Sequence, residues 1–288
     1  FAIFVLRRKI LADFPQRAIH KTVVHNSKKQ KMSVISSKTL FHFTNSAEKI
    51  INILKNGFAP RFCLEQLGYD LFFDTDNKKE TAVPMTCFCD LPLSMVDKHL
   101  EFYGSYGIGL SKKWGKKHGL TPLNYIHENS TQLNYLKQLV KFITKFDEEI
   151  KHLPTEEDPY FALFELAGFY KPYTGQMWRI NKYVEKRFYD EREWRYVPLL
   201  STDDGSDYRL SKEEFLNEIK RASANDSLAK NFPLTFQCED VKYIIVKKES
   251  EMIALFDALD LMTENFTENE IKILKTKIVS TEQILQDF

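Results

Sequence analysis

FYDEREWRYV, residues 188–197, is the most densely patterned stretch of this 288-residue chain, and the fold turns on how it is read. In a strand, side chains two apart share a face, so Glu191, Glu193 and Arg195 take one side while Arg192, Trp194 and Tyr196 take the other. Carboxylates on one face raise each other's pKa and are costly to bury. The plain structural expectation is therefore an edge strand whose Glu and Arg side chains pair in solvent. The chemical expectation is a Glu-x-Glu pair held at a site, and it depends on what the other strands carry.

Residues 39–44, Thr-Leu-Phe-His-Phe-Thr, alternate as a strand, with Phe41 and Phe43 on one side and His42 and Thr44 on the other. Asn45-Ser46 then caps a helix bearing Ile50, Ile51, Ile53 and Leu54, which stops at Asn56-Gly57. Val83 to Phe88 reads as a second strand, and Leu91 to Tyr103 as a short helix opened by Pro92. Residues 103–111, YGSYGIGLS, suit a close-packed strand, with Ser111 as the N-cap of a turn through Trp114. The Gly-x-Gly at 107–109 lacks the rest of a dinucleotide loop and no βαβ unit follows, which argues against a Rossmann fold. From Thr131 to about His152 the apolar spacing is helical, and a second helix is expected from Asp158 to Tyr170; together they form a helical insertion at about 130–172. Residues after Tyr173 read as a polar helix or loop. A charged helix near 211–222, a strand at 240–247 and two C-terminal helices complete the pass, the last opened by a Thr267/Glu270 capping box.

Charge is unevenly spread. The first 31 residues hold eight Lys/Arg and one Asp, or +7, against −6 for the remainder. The first Met is Met32, and an apolar FAIFVL precedes Arg7-Arg8-Lys9, the reverse of a secretory signal. Residues 1–31 are expected to lie outside the fold, which is assigned to a single α+β domain over 32–288; the alternative is a basic arm that touches nucleic acid. An acidic body argues against a general nucleic-acid role, and the lysines around Trp114 fit a solvated helix face. No run approaches the roughly 20 apolar residues of a membrane span. Four cysteines imply a reducing compartment, taken as the cytoplasm. Cys87 and Cys89 share a strand face and could begin a metal site, but buried strand cysteines are the favoured reading, and no metal is expected.

Two resemblances follow from these residues. His42, Tyr106 and Glu193, in that order and on strands, resemble the His-Tyr-Glu arrangement of ADP-ribosyltransferases. The segments LFHFT (40–44), FCDLPL (88–93), YGSYGIGLSKKWG (103–115), FYDEREWRYVP (188–198) and DVKYIIV (240–246) resemble the AbiGi family of bacterial abortive-infection proteins, described as antitoxins. The first resemblance implies an α+β fold with a split β-sheet core and an NAD cofactor. His42, with Thr44 beside it, would meet the adenine-side ribose, Tyr106 or as second choice Tyr103 would pack on the nicotinamide, and Arg61 would reach the pyrophosphate. Glu193 would stabilise the oxocarbenium and Glu191 would orient the nucleophile. The acceptor of ADP-ribose stays open. The chain departs from that pattern in lacking a Ser-Thr-Ser strand and in its tyrosine spacing. The second resemblance implies an antitoxin that binds a cognate toxin protein without chemistry, a role that the 14% aromatic content suits.

Overall fold

The strand expected over residues 39–44 lies at the centre of a mixed sheet. A computed structural model describes residues 36–65, 80–145, 162, 165–179, 182–200, 207 and 209–287. The proposed extension over 1–31, and residues 146–161 of the expected helical insertion, lie outside them. Along the main path the sheet runs β13 (Ile278–Ser280), β12 (Val241–Val246), β4 (Tyr106–Ser111), β1 (Thr39–Thr44), β3 (Thr81–Cys89), β10 (Glu193–Tyr196) and β5 (Thr121–Pro122). Neighbours are antiparallel except β12 and β13. β3 is long enough to serve two neighbourhoods. Its C-terminal half pairs with β10, and its N-terminal half pairs with β2 (Arg61–Glu65) and β11 (Leu210–Ser211). Between β1 and β3 the ladder is a single pair, Phe41 with Cys89.

Alternation along these strands sorts the side chains. On one face Leu40, Phe88, Ile108, Leu110 and Ile244 pack against α1 (Ala47–Asn56), α7 (Met252–Asp260) and α8 (Glu268–Lys275), through residues such as Ile50, Leu54, Leu259 and Leu274. Trp114, on α3 (Lys112–Lys117), anchors the same core and donates its indole N–H to the Thr235 carbonyl at 2.9 Å. On the other face Phe41, Phe43, Cys89 and Ile245 meet Leu100 of α2 (Asp97–Tyr103) and Ile284 of α9 (Thr281–Asp287). A third cluster packs Leu228 of α6 (Glu218–Asn231) on Phe62, Ala82 and Leu210.

Several expectations hold at the level of mechanism. Ser111 caps α3, accepting from the Trp114 N–H, and Thr267 and Glu270 form a reciprocal capping box. α4 (Thr131–Lys145) has the predicted helical spacing. Others need correction. Tyr103 ends helix α2 rather than beginning a strand, because Gly104 turns the chain at φ 111° and β4 starts only at Tyr106. The polar segment after Tyr173 is a β-hairpin, β8 (Thr174–Arg179) with β9 (Lys182–Arg187), preceded by a two-stranded parallel pair of β6 (Asn124–Ile126) and β7 (Tyr170–Pro172). The charged helix breaks at Asn217 into α5 (Lys212–Leu216) and α6, because the Asn217 side chain caps the second.

Gly104 is the tightest point in this frame. A Cβ there would lie 2.3 Å from the Thr44 carbonyl oxygen, on top of a left-handed φ that side chains disfavour. Gly104→Ala is expected to cost at least about 2 kcal/mol of unfolding free energy in chemical denaturation, through strain and backbone displacement together.

Candidate functional site

The Glu-x-Glu of the opening pattern is not a single strand. Phe188 to Glu191 forms a 3₁₀ turn, Arg192 takes a left-handed conformation at φ 45°, and β10 begins at Glu193. The turn's end and the strand's first residue nevertheless send both carboxylates to one place. Nor is β10 a solvent edge: it lies between β3 and β5, and Glu191, Glu193 and Arg195 are 3%, 5% and 0% exposed.

Their common partner is Lys171 of β7, whose ammonium lies 2.9 Å from Glu191 Oε2 and 2.8 Å from Glu193 Oε2. Arg195 Nε donates to Glu193 Oε1 at 2.8 Å, its other nitrogens reaching the Gly168 carbonyl at 2.7 Å and Glu65 Oε1 at 3.3 Å. Lys186 of β9 approaches Glu191 Oε1 at 2.6 Å, and the Tyr103 hydroxyl donates to that same oxygen. The Glu193 N–H donates to the Tyr125 hydroxyl at 2.8 Å. Three carboxylates (Glu65, Glu191, Glu193) thus meet three cations (Lys171, Lys186, Arg195). Burial would raise the Glu193 carboxyl, but Arg195 and Lys171 outweigh it and hold it well below the ordinary range. Glu191 is likewise lowered, burial being overcome by Lys171 and Lys186. Both are ionised, with every oxygen engaged, and so are poor proton acceptors.

A cavity of ≈460 Å³ opens above this network. Its walls include Phe41, Phe43, Tyr103, Phe188 and His99, whose ring lies 4.4 Å from that of Tyr103. Burial pushes His99 down to about 4, so it is neutral at physiological pH. Cys87 and Cys89 line the same cavity; burial pushes both thiols up, leaving them protonated, and among the described residues no cluster is arranged to hold a metal ion.

Of the residues singled out in the sequence, Tyr103, Glu191 and Glu193 come together here. His42, Thr44 and Tyr106 are on strand positions that face the other way. His42 pairs with Ile108, packs its ring on Phe58 and Phe88 at 5.2 and 5.7 Å, and donates from Nδ1 to the Cys87 carbonyl at 2.8 Å, filling the gap where β1 and β3 part. It borders the cavity from that gap. Tyr106 pairs with Thr44 and donates its hydroxyl to Glu251 at 3.0 Å. Arg61 is exposed on β2. Lys171 and Lys186, which hold the site together, carry no local signature: one lies in a YKP segment and the other in a mixed-polarity KYVEKR run. The sequence clue that existed was charge arithmetic, since two inward carboxylates need more cations than Arg195 supplies.

Comparisons with known proteins agree with one another. The family model described as "Putative abortive phage resistance protein AbiGi, antitoxin" matches residues 56–247, a span that holds all six charges of the network. The abortive phage resistance protein AbiGi of Lactococcus lactis subsp. cremoris is 30% identical over 248 residues, covering 80% of this chain and 99% of that protein. No solved structure matches.

Lys171→Met is expected to destabilise by about 3–5 kcal/mol in denaturant titration, because it strands buried charge, and Lys171→Met with Glu191→Gln should recover part of that loss. At Arg192, Gly should match or exceed the wild-type stability by up to about 1 kcal/mol, whereas Val, which resists positive φ, should lower it. With His99 lowered in the folded state, the unfolded chain binds the proton first. Stability is therefore present above the unfolded value of about 6.5 and is lost as pH falls toward about 4. His42, also lowered by burial, adds to the same trend. His99→Phe should flatten the melting temperature over that window.

Proposed function

The chain belongs to the AbiGi family of abortive phage resistance proteins, and we propose that it acts as the antitoxin of such a system by binding a cognate toxin protein, without chemistry of its own. The observation that carries this reading is the charge-balanced, saturated state of Glu191 and Glu193. A carboxylate held down by two cations has little capacity to take a proton, and of the other expected site residues Tyr106 lies on the opposite face of the sheet while His42 borders the cavity from the gap between β1 and β3. The network serves as an internal brace that fixes β7, β9 and β10 relative to one another.

A second reading retains an ADP-ribosyltransferase-like NAD site in the split-sheet fold. Its support is the parting of β1 from β3 at His42, beside a cavity that Tyr103, Glu191 and Glu193 border. Glu193 is ionised in that arrangement, as stabilisation of an oxocarbenium requires.

Co-expression with a candidate toxin of such a system separates the two. The antitoxin reading expects rescue of growth by the wild type and by Tyr103→Phe, which deletes the hydroxyl on Glu191 and keeps the ring. It also expects no label on protein or nucleic acid after incubation with labelled NAD. Loss of rescue in Tyr103→Phe at unchanged melting temperature, or transfer of label together with an NAD-induced rise in melting temperature, would favour the transferase.

A further inference from the structure

The ≈460 Å³ cavity is of the size and lining that small-molecule sites have, with mostly apolar walls and few polar groups. Phe41 and Phe43 lie stacked at 5.9 Å along one side, and His99 sits between Phe43, at 5.4 Å, and Tyr103. Phe188 lies under the Lys171 ammonium at 4.7 Å, and Met177 of β8 contributes to the lining from the hairpin.

Two features define what the cavity accepts. The first is charge. Glu65, Glu80, Glu191 and Glu193 line it together with Lys171, and every one of these carboxylates is paired with a cation of the protein. Lys171 is the one Lys or Arg among the lining residues, and its ammonium is already shared between Glu191 and Glu193. An anion would therefore find no unpaired counter-charge. A cation would lose its hydration and find carboxylates already neutralised. The second feature is His99. It makes ring contacts only, and neither ring nitrogen has a hydrogen-bond partner among the described residues. A neutral imidazole offers one donor and one acceptor, which makes it an open polar position on the aromatic side of the wall.

We propose that this cavity is a binding site for an uncharged, ring-containing organic molecule that carries one hydrogen-bonding group for His99. Apolar burial between the aromatic walls supplies the attraction, the imidazole sets the orientation, and the lack of an unpaired cation disfavours anions. Such a site is independent of how the chain meets its toxin and is distinct from an NAD site, because NAD carries an anionic pyrophosphate.

The test uses a matched pair of fluorescent probes, N-phenyl-1-naphthylamine and its 8-sulfonate, which share a ring system and an N–H and differ in one negative charge. The full chain should bind the neutral probe saturably at one site, and the sulfonate at least tenfold more weakly. Leu216, on the cavity lining yet 60% exposed, is a position where Trp narrows the entrance without disturbing the core. Leu216→Trp should weaken the neutral probe at least tenfold, and His99→Phe, which keeps the ring, at least threefold. Equal affinity for the two probes would overturn the exclusion of anions. Unchanged binding in Leu216→Trp, or no saturable binding of the neutral probe, would overturn the site itself, and unchanged binding in His99→Phe would remove the role given to that residue.

Discussion

The constraint on which the structure depends is that two carboxylates brought to one buried point must be neutralised there. Lys171 does this with one ammonium, placed within 3 Å of both Glu191 and Glu193. Water would otherwise solvate these charges, and its removal costs several kcal/mol per ion unless close partners replace it. Each further member follows from that demand. Arg195 completes Glu193 and reaches Glu65; Lys186 and the Tyr103 hydroxyl complete Glu191. Because the partners come from β2, α2, β7, β9 and β10, charge balance also fixes the relative positions of elements that share no strand pairing.

The backbone device that permits this is small. A regular strand through residues 191–193 would place both glutamates on one face, but with the spacing and direction of a pleat. Here a 3₁₀ turn ends at Glu191 and Arg192 takes φ 45°, so the chain re-enters the sheet only at Glu193. The Arg192 carbonyl accepts from the Asp90 N–H at 3.0 Å, which ties the kink to the end of β3. A residue other than glycine in that conformation carries strain of order 1 kcal/mol, and it persists because the ion pairs on both sides require it.

Much of the fold was legible because it rests on period and punctuation. β1, β4, β12 and the capped helices follow from alternation, from Ser111 and Thr267 as caps, and from glycine stops. The hairpin β8–β9 was not legible: TGQMWRINKYVEKR has mixed polarity, and its two strands pair with each other rather than with the main sheet. At the site, the sequence pointed to Glu191, Glu193 and Tyr103 by residue type. It grouped them with His42 and Tyr106 through strand order alone. Order along the chain does not report which face a side chain takes, and β1 and β4 turn His42 and Tyr106 to the face packed by α1 and α7. Lys171 was hidden because ion pairs formed across 20 and 22 positions leave no local pattern, and Lys186 because its pair with Glu191 joins a hairpin strand to the following turn and so has no strand or helix periodicity.

The three cations are not held alike, and this bears on what the carboxylates can do. Arg195 belongs to β10, inside the main sheet, and Lys171 to β7, paired with β6. Lys186 rides on a hairpin whose two strands pair only with each other among the described residues. An isolated two-stranded hairpin is marginal in water, so its position over the cavity depends on side-chain anchors, and Lys186 on Glu191 and over the Phe102 ring at 4.1 Å is a principal one. For Glu191 to accept a proton or bind a ligand cation, one of its partners must leave, and the partner with the least backbone support is Lys186. The same ion pair that makes Glu191 chemically quiet therefore also ties down the hairpin that contributes Met177 to the cavity lining, so the state of that carboxylate and the closure of the hairpin are physically linked.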